Sequence, residues 1–188
     1  MEVDQRLIPQ LIDKSKTNSR GVPTMIFVDN VDTWIAKYTA ERLVEDLNQY
    51  LSKFKYMEAQ IQKHLEGVKG KMPDMEKCLE TIDYMEKKKK DEELNLDFMV
   101  SNNLWAKAQV NVPDSVFLWL GANIMCEYSM KEAKELLNSN LEKAKKNIQV
   151  DENDLDFLRD QMTVCEVNIA RIYNETVRRK QAEAAKKK

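Results

Sequence analysis

Glycine and proline are scarce in this chain, at four residues each, and aromatic residues make up only 7%. Charged residues, by contrast, make up a third. That balance is the profile of long solvated helices rather than of a compact globule. Cysteine is represented by Cys78, Cys126 and Cys165, far apart and without a C-x-x-C pair, and histidine by His64 alone. Neither a metal site nor a secreted disulfide framework is expected from that set. The longest apolar run is Val116 to Leu120, far short of the ~20 residues a membrane span needs. Glu2, Asp4 and Arg6 near the start leave no apolar core for a signal peptide. The sequon Asn174-Glu175-Thr176 is then a chance match, and a reducing cytoplasmic setting fits all of these features. Net charge is −2 over 188 residues, which gives the whole chain no electrostatic case for nucleic acid. No phosphate loop, nucleotide fingerprint or nucleophile elbow occurs. Carboxylate neighbours such as Asp154 and Asp156 have no companion His, Cys or Gly-rich loop and read as ion-pair material. The chain is not expected to be an enzyme, and no cofactor or metal is expected.

What is present is periodicity. Residues 1–28, with Pro9, Gly21 and Pro23, show little of it and are read as disordered or extended. From Asp29 a helical pattern begins, and residues 29–93 are read as a first long helix. Leu43, Leu47, Tyr50, Phe54, Met57 and Ile61 alternate four and three apart. Leu65 then comes one residue late, and Val68, Met72, Met75, Leu79 and Ile82 resume the rhythm, so a stutter falls in this stretch. Pro73, just after Gly67 and Gly70, is expected to kink it. Residues 130–180 form the second long helix. Leu141, Ala144, Ile148, Asp151, Leu155, Leu158, Met162, Cys165, Ile169, Ile172 and Thr176 alternate three and four without a slip. Asp151 interrupts this apolar seam, as a polar specificity or flexibility device. Helices of about 50 residues reach about 75 Å and need a partner for their apolar stripes. The reading is an antiparallel coiled coil, with Asp151 roughly level with Met72 and Pro73 in a flexible zone. Residues 181–188 are a basic tail. Counted from Val177, six basic residues face one acidic residue, a net +5.

Between the helices, over residues 94–129, the period drops from 3.5 to 2. Leu94, Leu96 and Phe98 alternate with polar residues, and so do Leu104, Ala106, Ala108, Val110 and Val112. Ser101-Asn102-Asn103 is a turn between these strands, and Pro113-Asp114 marks another. Val116 to Leu120 and Ile124 to Tyr128 flank the tight connection Gly121-Ala122-Asn123. Four short strands leave open edges that must be paired or closed into a barrel. The chain therefore calls for partners that complete its sheet. The fold class is mainly α with a small β region, two long helices joined by two β-hairpins.

Individual side chains favour plain roles. His64, with no second ligand nearby, is a surface or seam-flanking residue. Met57, Met72, Met75, Met85 and Met162 fill seams. Lys87 to Lys90, followed by Asp91, Glu92 and Glu93, is nearly neutral as a block. The basic tail is a solubilising end or a contact to an acidic partner. It is too short, and too poor in aromatics, for nucleic acid or a membrane surface. A structural coiled-coil scaffold would show the same heptads, but it has little need of a sheet-completing module.

The segment Val116-Phe117-Leu118-Trp119-Leu120-Gly121-Ala122-Asn123-Ile124-Met125-Cys126-Glu127-Tyr128 resembles the second hairpin of α-type prefoldin subunits. Asp154 to Gln161 and Glu166 to Asn174 resemble the C-terminal helix of that family. Lys53 to Glu58 and Gly21-Val22-Pro23 resemble its N-terminal part. The resemblance implies a heterohexamer of two α-type and four β-type subunits, its hairpins forming a double β-barrel from which six coiled coils hang. It implies capture of unfolded or nascent polypeptides, actin and tubulin included, and delivery to the cytosolic group II chaperonin, without ATP or metal. On that reading Val116, Leu118, Trp119, Leu120, Gly121, Ile124 and Met125 serve subunit assembly. Client contact falls to the far end of the arm: Trp34, Ile35, Tyr38, Leu43, Val44, Leu47, Ile169, Ile172, Tyr173 and Val177. Several weak contacts from different arms would add through effective concentration.

Overall fold

The computed structural model describes residues 8–88 and 93–186. Residues 1–7, 89–92 and 187–188, which carry parts of the N-terminal segment, the lysine run and the basic tail, lie outside the described residues. After a 3-10 turn at Pro9–Leu11 come strands β1 (Ile12–Thr17) and β2 (Pro23–Met25), then helices α1 (Val31–Lys37) and α2 (Ala40–Lys87). Strands β3 (Glu93–Ser101), β4 (Leu104–Asn111), β5 (Ser115–Gly121) and β6 (Ile124–Ser129) follow, and helix α3 (Met130–Lys186) closes the order. The chain forms two compact units: Met1–Glu66 with Ile148–Lys188, and Gly67–Asn147.

In the first unit α2 and α3 run antiparallel. Lys55 faces Glu166 at 3.9 Å, Glu58 faces Arg159 at 3.3 Å and His64 faces Asp151 at 2.6 Å, so numbers rise on one helix as they fall on the other. The apolar stripes meet between them. Leu43, Leu47, Tyr50, Phe54, Ile61 and Leu65 are buried with Leu155, Leu158, Cys165 and Ile172. At ~1.5–3 kcal/mol for each fully buried large apolar side chain, this cluster is the main stabilising term of the unit.

The same cluster takes in Ile8, Leu11, Ile12, Val22, Met25 and Val28. Of the two readings of this segment, disordered or extended, residues 8–28 take the extended one, as a small hairpin packed on the helix pair. Its turn is self-bonded. The Asn18 side chain accepts from the amides of Arg20 and Val22, the Gly21 amide donates to the Asn18 carbonyl, and Gly21 sits at φ +73°. Only glycine adopts that region without cost. One further difference concerns the first helix. It breaks at Tyr38, whose backbone is extended (φ −131°, ψ 144°), so that α1 and α2 are separate. Asn30 caps α1 by accepting from the Thr33 amide. Farther on, α2 continues as helix through Gly67, Gly70 and Pro73.

In the second unit β3–β4 and β5–β6 are antiparallel hairpins, each a two-stranded sheet of its own. The β5–β6 connection pairs Gly121 with Ile124 and leaves Ala122 and Asn123 as a two-residue loop at φ 49° and 62°. Two left-handed residues give the twist that a tight hairpin needs. Ser129 ends β6 and starts α3 in a reciprocal cap: its hydroxyl accepts from the Glu132 amide while the Glu132 carboxylate accepts from the Ser129 amide. A smaller core joins Ile82, Ala133 and Leu137, with Leu79, Val116, Leu118 and Tyr128 against it. Lys134 pairs with Asp83 and Glu86 at 2.5 and 3.1 Å. Helix α3 extends to Lys186, so residues 181–186 of the basic tail are helical.

Candidate functional site

Two surfaces stand out, one in each unit. The first is the N-terminal hairpin on α3. Asp154, Gln161 and Asn168 recur every seven residues along that helix, and all three are buried. Seven residues are close to two helical turns, so the three line one face. Each reaches the hairpin. The Asp154 carboxylate accepts from the Asn18 amide group at 3.1 Å, the Ser19 hydroxyl at 2.7 Å and Arg20 Nε at 2.7 Å. Gln161 Oε1 accepts from the Met25 amide at 2.8 Å. Asn168 Oδ1 accepts from the Val28 amide, and its Nδ2 donates to the Ile26 carbonyl, both at 2.9 Å. On α2, Asp46 accepts from the Ile8 amide at 3.0 Å. Backbone groups that a two-stranded hairpin leaves unpaired are thereby satisfied.

Asp151 is a joint of three elements. It is only 2% exposed, and it accepts from Arg20 Nη2 of the hairpin and bonds His64 Nδ1 of α2 at 2.6 Å. Arg20 thus forks between Asp151 and Asp154, whose carboxylates raise its already high pKa. A buried carboxylate needs such partners, since unpaired it would be strongly destabilising. The seam interruption at Asp151 is therefore an anchoring point for Arg20. The partner of Asp151 on α2 is His64.

The residues expected at the far end of the arm gather in this unit but differ in access. Leu43, Leu47 and Ile172 have no exposed surface. Trp34, Ile35, Tyr38, Val44, Ile169 and Val177 are half-buried, and Tyr173 is 63% exposed. Trp34 and Tyr38 lie with ring centroids 6.2 Å apart. Arg171 sits over the Phe27 ring at 4.7 Å and donates to the Asp29 carbonyl. The row Asp154, Gln161 and Asn168 escaped the reading of the heptads because it flanks the apolar seam rather than forming it. Its signal was three polar residues in strict seven-residue register beside apolar neighbours.

The second surface is the hairpin pair. Val116 and Leu118 turn onto the small core, whereas Trp119 is 60% exposed. Leu120, Ile124 and Met125 are about as exposed, and Gly121 forms the turn. Three more residues belong with them. Phe117 is 64%, Phe98 63% and Trp105 60% exposed. Most residues of β3 and β4 are exposed, and each two-stranded sheet ends in unpaired edges. Exposed apolar residues beside open strand edges mark an association surface. Among the described residues, no helix is long and apolar enough to cross a membrane and no cluster of His, Cys, Asp and Glu could hold a metal ion.

Comparison with known proteins gives consistent matches. The family model for prefoldin (Prefoldin subunit) matches residues 54–175, which excludes the N-terminal hairpin. Prefoldin subunit 3 of Homo sapiens is 42% identical over 164 residues, covering 85% of this chain and 83% of that protein. Prefoldin subunit 3 of Drosophila melanogaster is 35% identical over 183 residues, covering 96% and 93%. Probable prefoldin subunit 3 of Schizosaccharomyces pombe is 34% identical over 163 residues, covering 87% and 95%. A solved structure, filamentous PFD from Methanocaldococcus jannaschii, aligns with a TM-score of 0.49 at 15% identity, covering 62% of this chain and 94% of that one.

Proposed function

The chain belongs to the prefoldin family, a family of chaperone subunits, and we propose that it serves as one α-type subunit of a cytosolic heterohexamer that holds non-native polypeptides without ATP. In this reading the complex has one further α-type and four β-type partners. The two hairpins close with those of its neighbours into a β-barrel, and the α2–α3 pair hangs from it as a coiled-coil arm. Clients are unfolded or nascent chains, actin and tubulin among them, and they pass to a group II chaperonin.

The observation that carries the proposal is the paired hairpins with Phe98, Trp105, Phe117 and Trp119 bare to solvent. A chain alone in water gains nothing from that exposure, and a sheet completed by neighbours buries it. Of the far-end residues, Tyr173 and the half-buried Trp34, Ile35, Tyr38, Val44, Ile169 and Val177 can touch a client directly. Leu43, Leu47 and Ile172, buried in the α2–α3 cluster, can do so only if that cluster opens. The test is dilution of a chemically unfolded protein into buffer with the tagged, co-purified complex and no nucleotide. Suppressed light scattering near equimolar complex is expected. Scattering equal to that of the client alone would overturn the proposal.

A further inference from the structure

The N-terminal hairpin is held on α3 through main-chain groups as well as through the Arg20 fork. Gln161 and Asn168 read the amides of Met25 and Val28 and the carbonyl of Ile26. The Gln161 amide is itself oriented, since its Nε2 donates to the Phe157 carbonyl at 3.3 Å. Two turns of helix advance about 10.5 Å, and three residues of extended chain advance about 10 Å. The step from Gln161 to Asn168 therefore matches the step from Met25 to Val28. Beside these amides lies an apolar floor of Leu158, Cys165 and Ile172, in one cluster with Ile12, Met25 and Val28. Main-chain groups are common to all polypeptides. A site that pairs with them over an apolar floor accepts an extended apolar segment with little regard to its sequence.

We propose that this face of α3 is a receptor for an extended segment of a non-native client, and that residues 8–28 are its resident occupant, displaced when a client binds. The inference rests on the chaperone reading above and gives it a site. The occupant is suited to exchange, because β2 is only three residues long and its latch, Arg20, has a side chain 45% exposed. While the hairpin is seated, apparent client affinity is reduced by the fraction of open receptor. Weakening the hairpin from its own side must then tighten client binding, the opposite of what damage to a purely structural element does.

The test uses the full-length chain in the complex it forms with its partner subunits, and reduced, carboxymethylated α-lactalbumin as a permanently unfolded probe. Hydrogen exchange at residues 22–28 is followed with and without probe. Probe affinity is measured for wild type, Arg20→Ala and Val22→Ala, and for Asn168→Leu on the receptor side. The expected result is faster exchange at 22–28 on adding probe, with affinity raised up to about tenfold by Arg20→Ala or Val22→Ala and not raised by Asn168→Leu, which loosens hairpin and client alike. If the probe binds while exchange at 22–28 and the affinities of both hairpin variants stay at wild-type values, the receptor is elsewhere and only this inference falls. If neither wild type nor hairpin variants bind the probe, both it and the chaperone reading fall.

Discussion

Replacing Asn168 by leucine isolates the contribution of a single buried amide. The side chain has no exposed surface, accepts from the Val28 amide and donates to the Ile26 carbonyl. Leucine is of similar size and apolar, so it fills the space and admits no water in place of the amide. Two backbone groups of the hairpin are then orphaned, at about 1–3 kcal/mol each, against about 1–2 kcal/mol gained from the extra apolar burial. A net loss of about 0–5 kcal/mol, centred near 2.5, falls on the hairpin's seating rather than on the helix pair, because the α2–α3 core keeps its contacts. At 1.4 kcal/mol per factor of ten, the central value shifts the seating equilibrium by about 60-fold. Hydrogen exchange of the Met25 to Val28 amides reads that equilibrium directly, with Asn174→Leu at an exposed helix position as the control. Exchange in this segment within about threefold of wild type would refute the argument, since it would mean that the amide bonds do not hold the hairpin.

Three other outcomes can be checked with standard assays. Burial pushes the Cys165 thiol up to about 12, so at pH 8 roughly one molecule in ten thousand carries its thiolate. Iodoacetamide applied to the native protein should label exposed Cys78 and spare Cys165, as read by peptide mass spectrometry. Arg179 beside Asp32 and Lys134 beside Asp83 hold those carboxyls below the ordinary 3.8. A carboxylate with a depressed folded pKa adds stability above its unfolded pKa and loses it as pH falls through the folded value. Melting temperature should therefore drop on acidification below 3.8, and by less in Asp32→Asn. Finally, Trp119→Ser should leave the helical circular dichroism of the chain unchanged yet weaken its retention in a co-purified complex, because this side chain contributes exposed apolar surface and no core.

The regular elements were legible because their signals are long or local. Eleven seam positions without a slip mark α3, whose start is fixed by the Ser129 and Glu132 cap. The alternation through Leu104 to Val110 marks β4, and Gly121-Ala122-Asn123 marks the tight connection after β5. The N-terminal hairpin was not legible. A three-residue strand has no period to detect, and its apolar residues make sense only against α3, over a hundred residues away. The break at Tyr38 involves neither Gly nor Pro, so no local breaker announces it. Pro73, a strong local breaker, does not end α2, because a proline removes only one helical bond and neighbouring turns carry the helix on. Asp151 was visible as an interruption, but its partners Arg20 and His64 follow from register and from a fold-back that heptads alone do not encode. For the association surface the alternation identified the strands, while the bare aromatics Phe98, Trp105 and Phe117 emerged only once the absence of a covering layer was seen.

In the proposed complex the exposed hairpins are completed by other subunits of the same architecture. Native mass spectrometry of the tagged chain purified from its own cells tests this most directly. The expected result is a six-subunit assembly of this chain with five other small helix-hairpin-helix chains, one α-type and four β-type. A homodimer, a monomer, or a large assembly without such partners would contradict it.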